Sequence, residues 1–236
     1  MNTVKGIIFD YGGTIDTNGI HWGEVIWEQY RLAGASISRE LYREAYVHGE
    51  RTLGKNRIIE PTHTFQQLLE IKIAIQFDYL RERTDAASLT GAMQRQIVDG
   101  CYAQVKSTID KSCEIVKRIT ENRPTVLVTN FYGNMPVVLK EFALDRIFDT
   151  IVESSVVGIR KPDPKIFALG VEALGMQPQD VVVIGDSYRK DIYPALSLGC
   201  KAIWLKKICW EEESIAQGYE PTAIIESIEQ LPEIIL

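Results

Sequence analysis

Val4–Asp16 reads VKGIIFDYGGTID, and this stretch decides the fold. Val4 to Phe9 is a short apolar run that stops at Asp10 and turns at Gly12-Gly13, the pattern of a buried strand entering a tight loop. The texture then changes. From Thr17 to Ser107 the chain reads as helices, over Glu24–Ala33, Arg39–Leu53, Thr64–Arg83 and Thr90–Ser107, with Ser38 and Thr62 as candidate N-caps. Leu68, Leu69, Ile71, Ile73, Ile75, Phe77 and Leu80 supply a broad apolar face to the third helix.

Beyond Ser107 strands and helices alternate. Helices are expected at Cys113–Glu121, Met135–Phe142, Pro164–Leu174 and Lys190–Leu198, with a short one from Ser227. Strands are expected at Thr125–Val128, Ile151-Val152, Val181–Ile184, Ala202–Leu205 and Thr222–Ile225. Such alternation implies right-handed βαβ units and a parallel sheet covered on both faces. Val4–Phe9 belongs to that sheet, so the helical segment is an insertion. The expected class is α/β: a doubly wound parallel sheet from residues 1–16 plus 108–236, with an all-helical cap of about four helices at 17–107.

Of 236 residues, 45% are hydrophobic and 25% charged, which are ordinary globular proportions. Lys+Arg is 26 against Asp+Glu 32, and a net charge of −6 gives no drive toward nucleic acid or acidic membrane. Residues 17–107 hold 11 Lys+Arg and 11 Asp+Glu, so the cap segment is neutral and the whole acidic excess lies in the sheet-forming part. No apolar run approaches the roughly 18 residues of a membrane span, and the N-terminus lacks the core of a signal peptide. A cytoplasmic protein is expected, with no membrane and no nucleic-acid partner. Cys101, Cys113, Cys200 and Cys209 form no C-x-x-C pair and read as reduced thiols. Lys206 to Pro221 reads as the least structured region, with Glu211-Glu212-Glu213 a solvated loop and Trp210 a packing anchor.

In an open parallel sheet ligands bind beyond the carboxyl ends of the strands. Three expected strands end in polar residues there: Asp10 after the first, Thr129-Asn130 after the second, and Gly185-Asp186-Ser187 with Asp191 after the Val181 strand. Asp10, Asp186 and Asp191 gathered together would repel unless a cation sat among them, and hard carboxylate oxygens suit Mg²⁺. A carboxylate beside such a metal can attack phosphorus and form an acyl phosphate. Thr129 can donate to a phosphoryl oxygen, and Lys161 in Gly158–Pro164 offers a point charge to nucleophile and phosphate.

Four segments in order, FDYGGTID at Phe9–Asp16, VLVTN at Val126–Asn130, GIRKPDP at Gly158–Pro164 and GDSYRKD at Gly185–Asp191, resemble the haloacid dehalogenase-like superfamily with a helical cap inserted after the first strand of a Rossmann-like core. The resemblance spans nearly the whole chain. It implies Asp10 as nucleophile, Thr129 and Lys161 as phosphate holders, Gly13 and Asn130 as substrate-binding positions, and Mg²⁺ held by Asp10, the Gly12 carbonyl and Asp186, with Asp191 either a direct ligand or a partner behind the ligands. The implied substrate is a small phosphorylated metabolite; monomer and homodimer are both left open.

One position departs from the family pattern. Its phosphatases carry a second Asp two residues after the nucleophile, where it protonates the leaving oxygen, and here that position is Gly12. A positioned acid or base contributes about 10²- to 10⁴-fold, so alkyl phosphates should turn over slowly. Three readings follow. A phosphatase could prefer good leaving groups or recruit its acid from His21 or Asp16. A phosphonatase-like C–P hydrolase could form an imine on cap Lys55. A catalytically weak phosphate- or nucleotide-binding module could keep only fold and metal. His48 and His63 have no partner suggested by spacing.

Overall fold

The computed structural model describes residues 4–85, 88–211 and 213–236. Six parallel strands, β1 (Gly6–Phe9), β2 (Thr125–Thr129), β3 (Thr150–Glu153), β4 (Val181–Gly185), β5 (Lys201–Leu205) and β6 (Ala223–Ile225), form one sheet in the order β3-β2-β1-β4-β5-β6. The first strand is central, with Ile7 opposite Thr125 on one side and Val182 on the other. Strand order reverses there, so β1, β2 and β4 open a crevice at their carboxyl ends.

Both faces of the sheet are buried, which explains its near-continuous apolar strands. Ile7, Phe9, Leu127, Val182 and Ile184 join one core cluster, and Ile8, Val126, Val128, Val181 and Val183 the other. The helices α1 (Trp22–Leu32), α2 (Arg39–Lys55), α3 (Phe65–Arg81) and α4 (Gly91–Thr120) lie between β1 and β2 and build a helical cap region. After β2 come α5 (Met135–Glu141), α6 (Ser154–Val157) and α7 (Lys165–Ala173), and later α8 (Tyr193–Ser197) and α9 (Leu231–Ile235). Lys206 to Pro221 carries neither helix nor sheet strand among its described residues, and Glu212 lies outside them.

Three local expectations differ from what forms. The helices expected at Thr90–Ser107 and Cys113–Glu121 are one continuous helix of 30 residues, about 45 Å long. Its buried stripe of Cys101, Val105, Ile109, Ser112, Val116 and Ile119 runs through the polar stretch without losing its spacing. Thr64, not Thr62, caps α3, in a capping box with Gln67. Glu141 of α5 accepts the Phe65 N–H at 2.6 Å and so anchors that start through a tertiary contact. The helix expected from Lys190 begins instead as a π-turn, Tyr188–Ile192, a form often found at functional sites. Among the described residues no helix is long and apolar enough to cross a membrane.

Gly170 of α7 lets that helix rest directly on the sheet, since a Cβ there would stand 2.8 Å from Val128 Cγ2 and 3.0 Å from Ile8 Cδ1. Gly170→Ala should destabilise the protein by about 1–3 kcal/mol, read by thermal or urea denaturation, because overpacking of a tight core forces backbone shifts. An unchanged midpoint would show that the contact is not tight.

Candidate active site

Asp10 leaves the sheet between β1 and β4, its N–H donating to Ile184 O at 2.9 Å. Its carboxylate is buried, and each of its oxygens accepts one hydrogen bond. Oδ1 accepts from Lys161 Nζ at 2.6 Å, and Oδ2 accepts from Thr14 Oγ1 at 2.9 Å. Thr14 stands in the tight turn whose N–H groups at positions 14 and 15 donate to Tyr11 O. Asp16 closes that turn, accepting from Gly13 N at 2.7 Å and Trp22 Nε1 at 2.9 Å.

Lys161 reaches the site from the loop before α7. Its ammonium also donates to Asp191 Oδ1 at 2.7 Å, so one cation bridges two carboxylates. Asn130 holds the lysine's backbone: its Oδ1 accepts from Lys161 N at 3.0 Å and its Nδ2 donates to Lys161 O at 3.1 Å. Thr129, the last residue of β2, is buried beside it and lines the cavity.

Asp186 and Asp191 follow β4. Each offers an oxygen within 4.8 Å of the others and of an Asp10 oxygen. Two glycines make room for these acids. A Cβ on Gly13, whose φ is +99°, would meet Asp186 Oδ2 at 2.3 Å, and one on Gly185 would meet Asp191 Cβ at 2.4 Å. Ser187 N donates to Asp191 Oδ2 at 3.1 Å, which the π-turn makes possible.

Burial pushes the Asp10 carboxyl up to about 6, with Asp191 adding to the rise and Lys161 opposing it. Asp186 is held well above the ordinary carboxylate range by burial and then by Asp10 and Asp191. Burial works against the Lys161 ammonium, but Asp10 and Asp191 outweigh it and raise its pKa. Three acids thus face one lysine, and among the described residues no hydrogen bond reaches the Asp186 carboxylate. This donor set of clustered hard oxygens fits a divalent cation.

A cavity of about 590 Å³ stands over the cluster. Asp10, Gly12, Thr129, Lys161, Asp186 and Asp191 line one end; Trp22, Tyr46, Glu50, Lys72 and Trp210 line the cap side. Trp210 packs against Tyr46 at 4.9 Å between ring centroids, so it is the anchor its setting suggested. Gly12 has space beside it, the nearest atoms to a Cβ being Trp22 Nε1 at 3.9 Å and Asp16 Oδ2 at 4.0 Å. A Cβ at position 12 would therefore meet no crowding.

The other candidates are differently placed. Burial raises Asp16 to about 7, yet it is completely buried, engaged by Gly13 and Trp22, and absent from the cavity lining. His21 lines the cavity, but its Nδ1 accepts the Gly23 N–H as the cap of α1, and burial lowers it to about 4, leaving a neutral ring. Lys55 is exposed at the end of α2 and does not line the cavity. His48 is exposed against Tyr79, and His63 Nδ1 accepts from Glu60 N. Gly13 commits its N–H to Asp16, so its contribution is room. Thr14, Glu50 and Lys72 are additions that the motifs alone did not single out. For Lys72 the signal was available: it falls four residues after Leu68 on the buried stripe of α3, where a lysine is out of place.

Residues 4–199 match the family described as haloacid dehalogenase-like hydrolase. Glyceraldehyde 3-phosphate phosphatase of Pyrococcus furiosus is 30% identical over 92 residues, 39% of this chain and 38% of that protein. N-acylneuraminate-9-phosphatase of Mus musculus is 30% identical over 156 residues, 61% of each. The chain therefore spans less than two thirds of the length of either relative. A crystal structure of a dehalogenase superposes with a TM-score of 0.65 at 16% identity, covering 99% of this chain and 98% of that one, a likeness of fold.

Gly13→Ala places a methyl group on the Asp186 carboxylate in a backbone conformation that disfavours it. The variant should bind Mg²⁺ about 10- to 100-fold more weakly by isothermal titration calorimetry, since displaced ligand geometry costs that much at metal sites. Unaltered binding would remove Asp186 from the ligand set.

Proposed function

This chain belongs to the haloacid dehalogenase-like hydrolase family, and on that premise we propose that it is a Mg²⁺-dependent phosphatase of a small phosphorylated metabolite. The observation that carries the reading is the Lys161 ammonium shared by Asp10 and Asp191, beside a third carboxylate. Residues 1–16 and 108–236 form the catalytic core in this proposal, and residues 17–107 the cap that shapes the substrate.

Asp10 is the nucleophile. Thr14 and Lys161 fix its two oxygens, so one conformation is presented to an incoming phosphorus. Attack by an Asp10 oxygen forms an O–P bond as the bond from phosphorus to the leaving oxygen breaks, and water then cleaves the aspartyl phosphate to free Asp10 and phosphate. Thr129 and Lys161 hold the phosphoryl oxygens, with Asn130 keeping the Lys161 backbone in place. Asp10, the Gly12 carbonyl, Asp186 and Asp191 would hold Mg²⁺, which supplies charge neutralisation for the transferring group.

The names of the relatives support phosphoryl chemistry of this kind. Imine chemistry on a cap lysine finds no support. Lys55 does not line the cavity, and Lys72, which does, is held as an ammonium: burial opposes the charge, but Glu50 outweighs it and raises the pKa. A pure binding module would have no need of an oriented Asp10.

With Mg²⁺ present, the protein should hydrolyse p-nitrophenyl phosphate, and Asp10→Asn should reduce the rate to background. Equal rates for the two proteins would sink the enzyme reading. Gly12→Asp, whose Cβ would meet only ordinary contacts, should speed hydrolysis of an alkyl phosphate by up to about 10²-fold, because it restores a positioned acid. Steady-state assays that find no gain, with fold and Mg²⁺ binding intact, would place the proton transfer elsewhere.

A further inference from the structure

The cap side of the cavity carries a polar group that the phosphoryl chemistry leaves unused. Lys72 of α3 is 6% exposed, and its ammonium lies 2.7 Å from Glu50 Oε1 on α2. Glu50 Oε2 accepts from Tyr132 OH at 3.0 Å. The ammonium stands 5.8 Å from the Trp22 ring and 5.4 Å from the Tyr132 ring. Lys72, Glu50, Tyr132, Trp22 and Tyr46 all line the same cavity as Asp10.

An ion pair in such a setting is a poor way to stabilise a fold, because desolvation offsets most of the attraction and apolar residues would serve as well. Its place on a cavity wall points to a ligand. Glu50 and the Tyr132 hydroxyl engage the ammonium, which has three N–H groups, and the carboxylate retains lone pairs beyond those facing Lys72 and Tyr132. Together they present a donor and an acceptor side by side with no net charge, flanked by the rings of Trp22 and Tyr132. A second anionic group brought to Lys72 would meet Glu50. An uncharged ring with neighbouring donor and acceptor, as in the hydroxyls of a sugar or the amide edge of a base, satisfies both residues and lays its face on an aromatic wall.

We propose that the Glu50–Lys72 pair selects the leaving group, favouring phosphate monoesters of an uncharged, hydrogen-bonding ring and rejecting those that carry a second anion. This rests on the phosphatase reading of Asp10 and names its substrate class. Sugar and base share the chemistry, and the choice of ligands below separates them.

The test measures binding by calorimetry in the Asp10→Asn protein, with ribose 5-phosphate, uridine 5′-monophosphate and 3-phosphoglycerate. At least one ring ligand should bind about tenfold or more tightly than 3-phosphoglycerate; tighter uridine 5′-monophosphate indicates the base, and equal ring ligands indicate the sugar. Adding Glu50→Gln leaves an uncompensated ammonium, so 3-phosphoglycerate should gain about tenfold relative to the ring ligands. The double change Glu50→Gln with Lys72→Gln removes both charges and should keep the original order of preference, which separates a charge effect from a disturbed fold. An unchanged ratio in the Glu50→Gln protein, equal binding of all three ligands, or binding of none overturns the proposal. Failure of the phosphatase reading would show separately, as absent turnover by the unaltered protein.

Discussion

The site depends on one buried ammonium. Lys161 donates to Asp10 and to Asp191, joining the end of the first strand, the loop before α7 and the π-turn after β4. Removing one partner of a buried pair costs about 3–5 kcal/mol, so these three segments are held in one arrangement by a strong mutual constraint. The same constraint orients the Asp10 carboxylate. Asn130 adds a further tie by holding the lysine's backbone at both N–H and carbonyl. One lysine faces three clustered carboxyl groups, those of Asp10, Asp186 and Asp191, a donor set that fits a divalent cation.

The sheet makes that arrangement possible. Parallel pairing of β1 with β2 and β4 brings Asp10, Thr129 and Asp186 to one edge, although 119 and 176 positions separate the first from the other two. Small residues then set the distances. Gly13 and Gly185 admit the carboxylates of Asp186 and Asp191 where any side chain would displace them. The single 30-residue helix α4 runs from the cap region back toward the sheet and carries one continuous buried stripe, so the helices that face the cavity are tied to the core by a stiff element.

Much of this was legible in the sequence. Apolar runs ending in acids, alternating with helices, implied both the parallel sheet and the edge where the acids meet. The polar stretch around Ser107 and Ser112 looked like a helix break because local propensity favours one there. Burial of Ile109, Ser112 and Val116 against other elements overrode that preference. Thr64 shows the same effect on a smaller scale, since Glu141 from a distant helix helps to choose where α3 begins. The net charge of −6 already pointed to the sheet-forming part, since residues 17–107 are neutral.

The sequence by itself determined the fold class, the order of its elements and the identity of the acids, because hydrophobic period and strand-end residues are local properties. Tertiary structure alone decided what those residues face. His21 became a helix cap and a neutral ring, Asp16 a buried turn lock, and Lys55 an exposed helix end, whereas Lys72, unremarked in a stripe of apolar residues, came to stand with Glu50 on the wall of the cavity above Asp10. Those outcomes depend on which surfaces pack together, and packing is set by contacts between residues far apart in the chain.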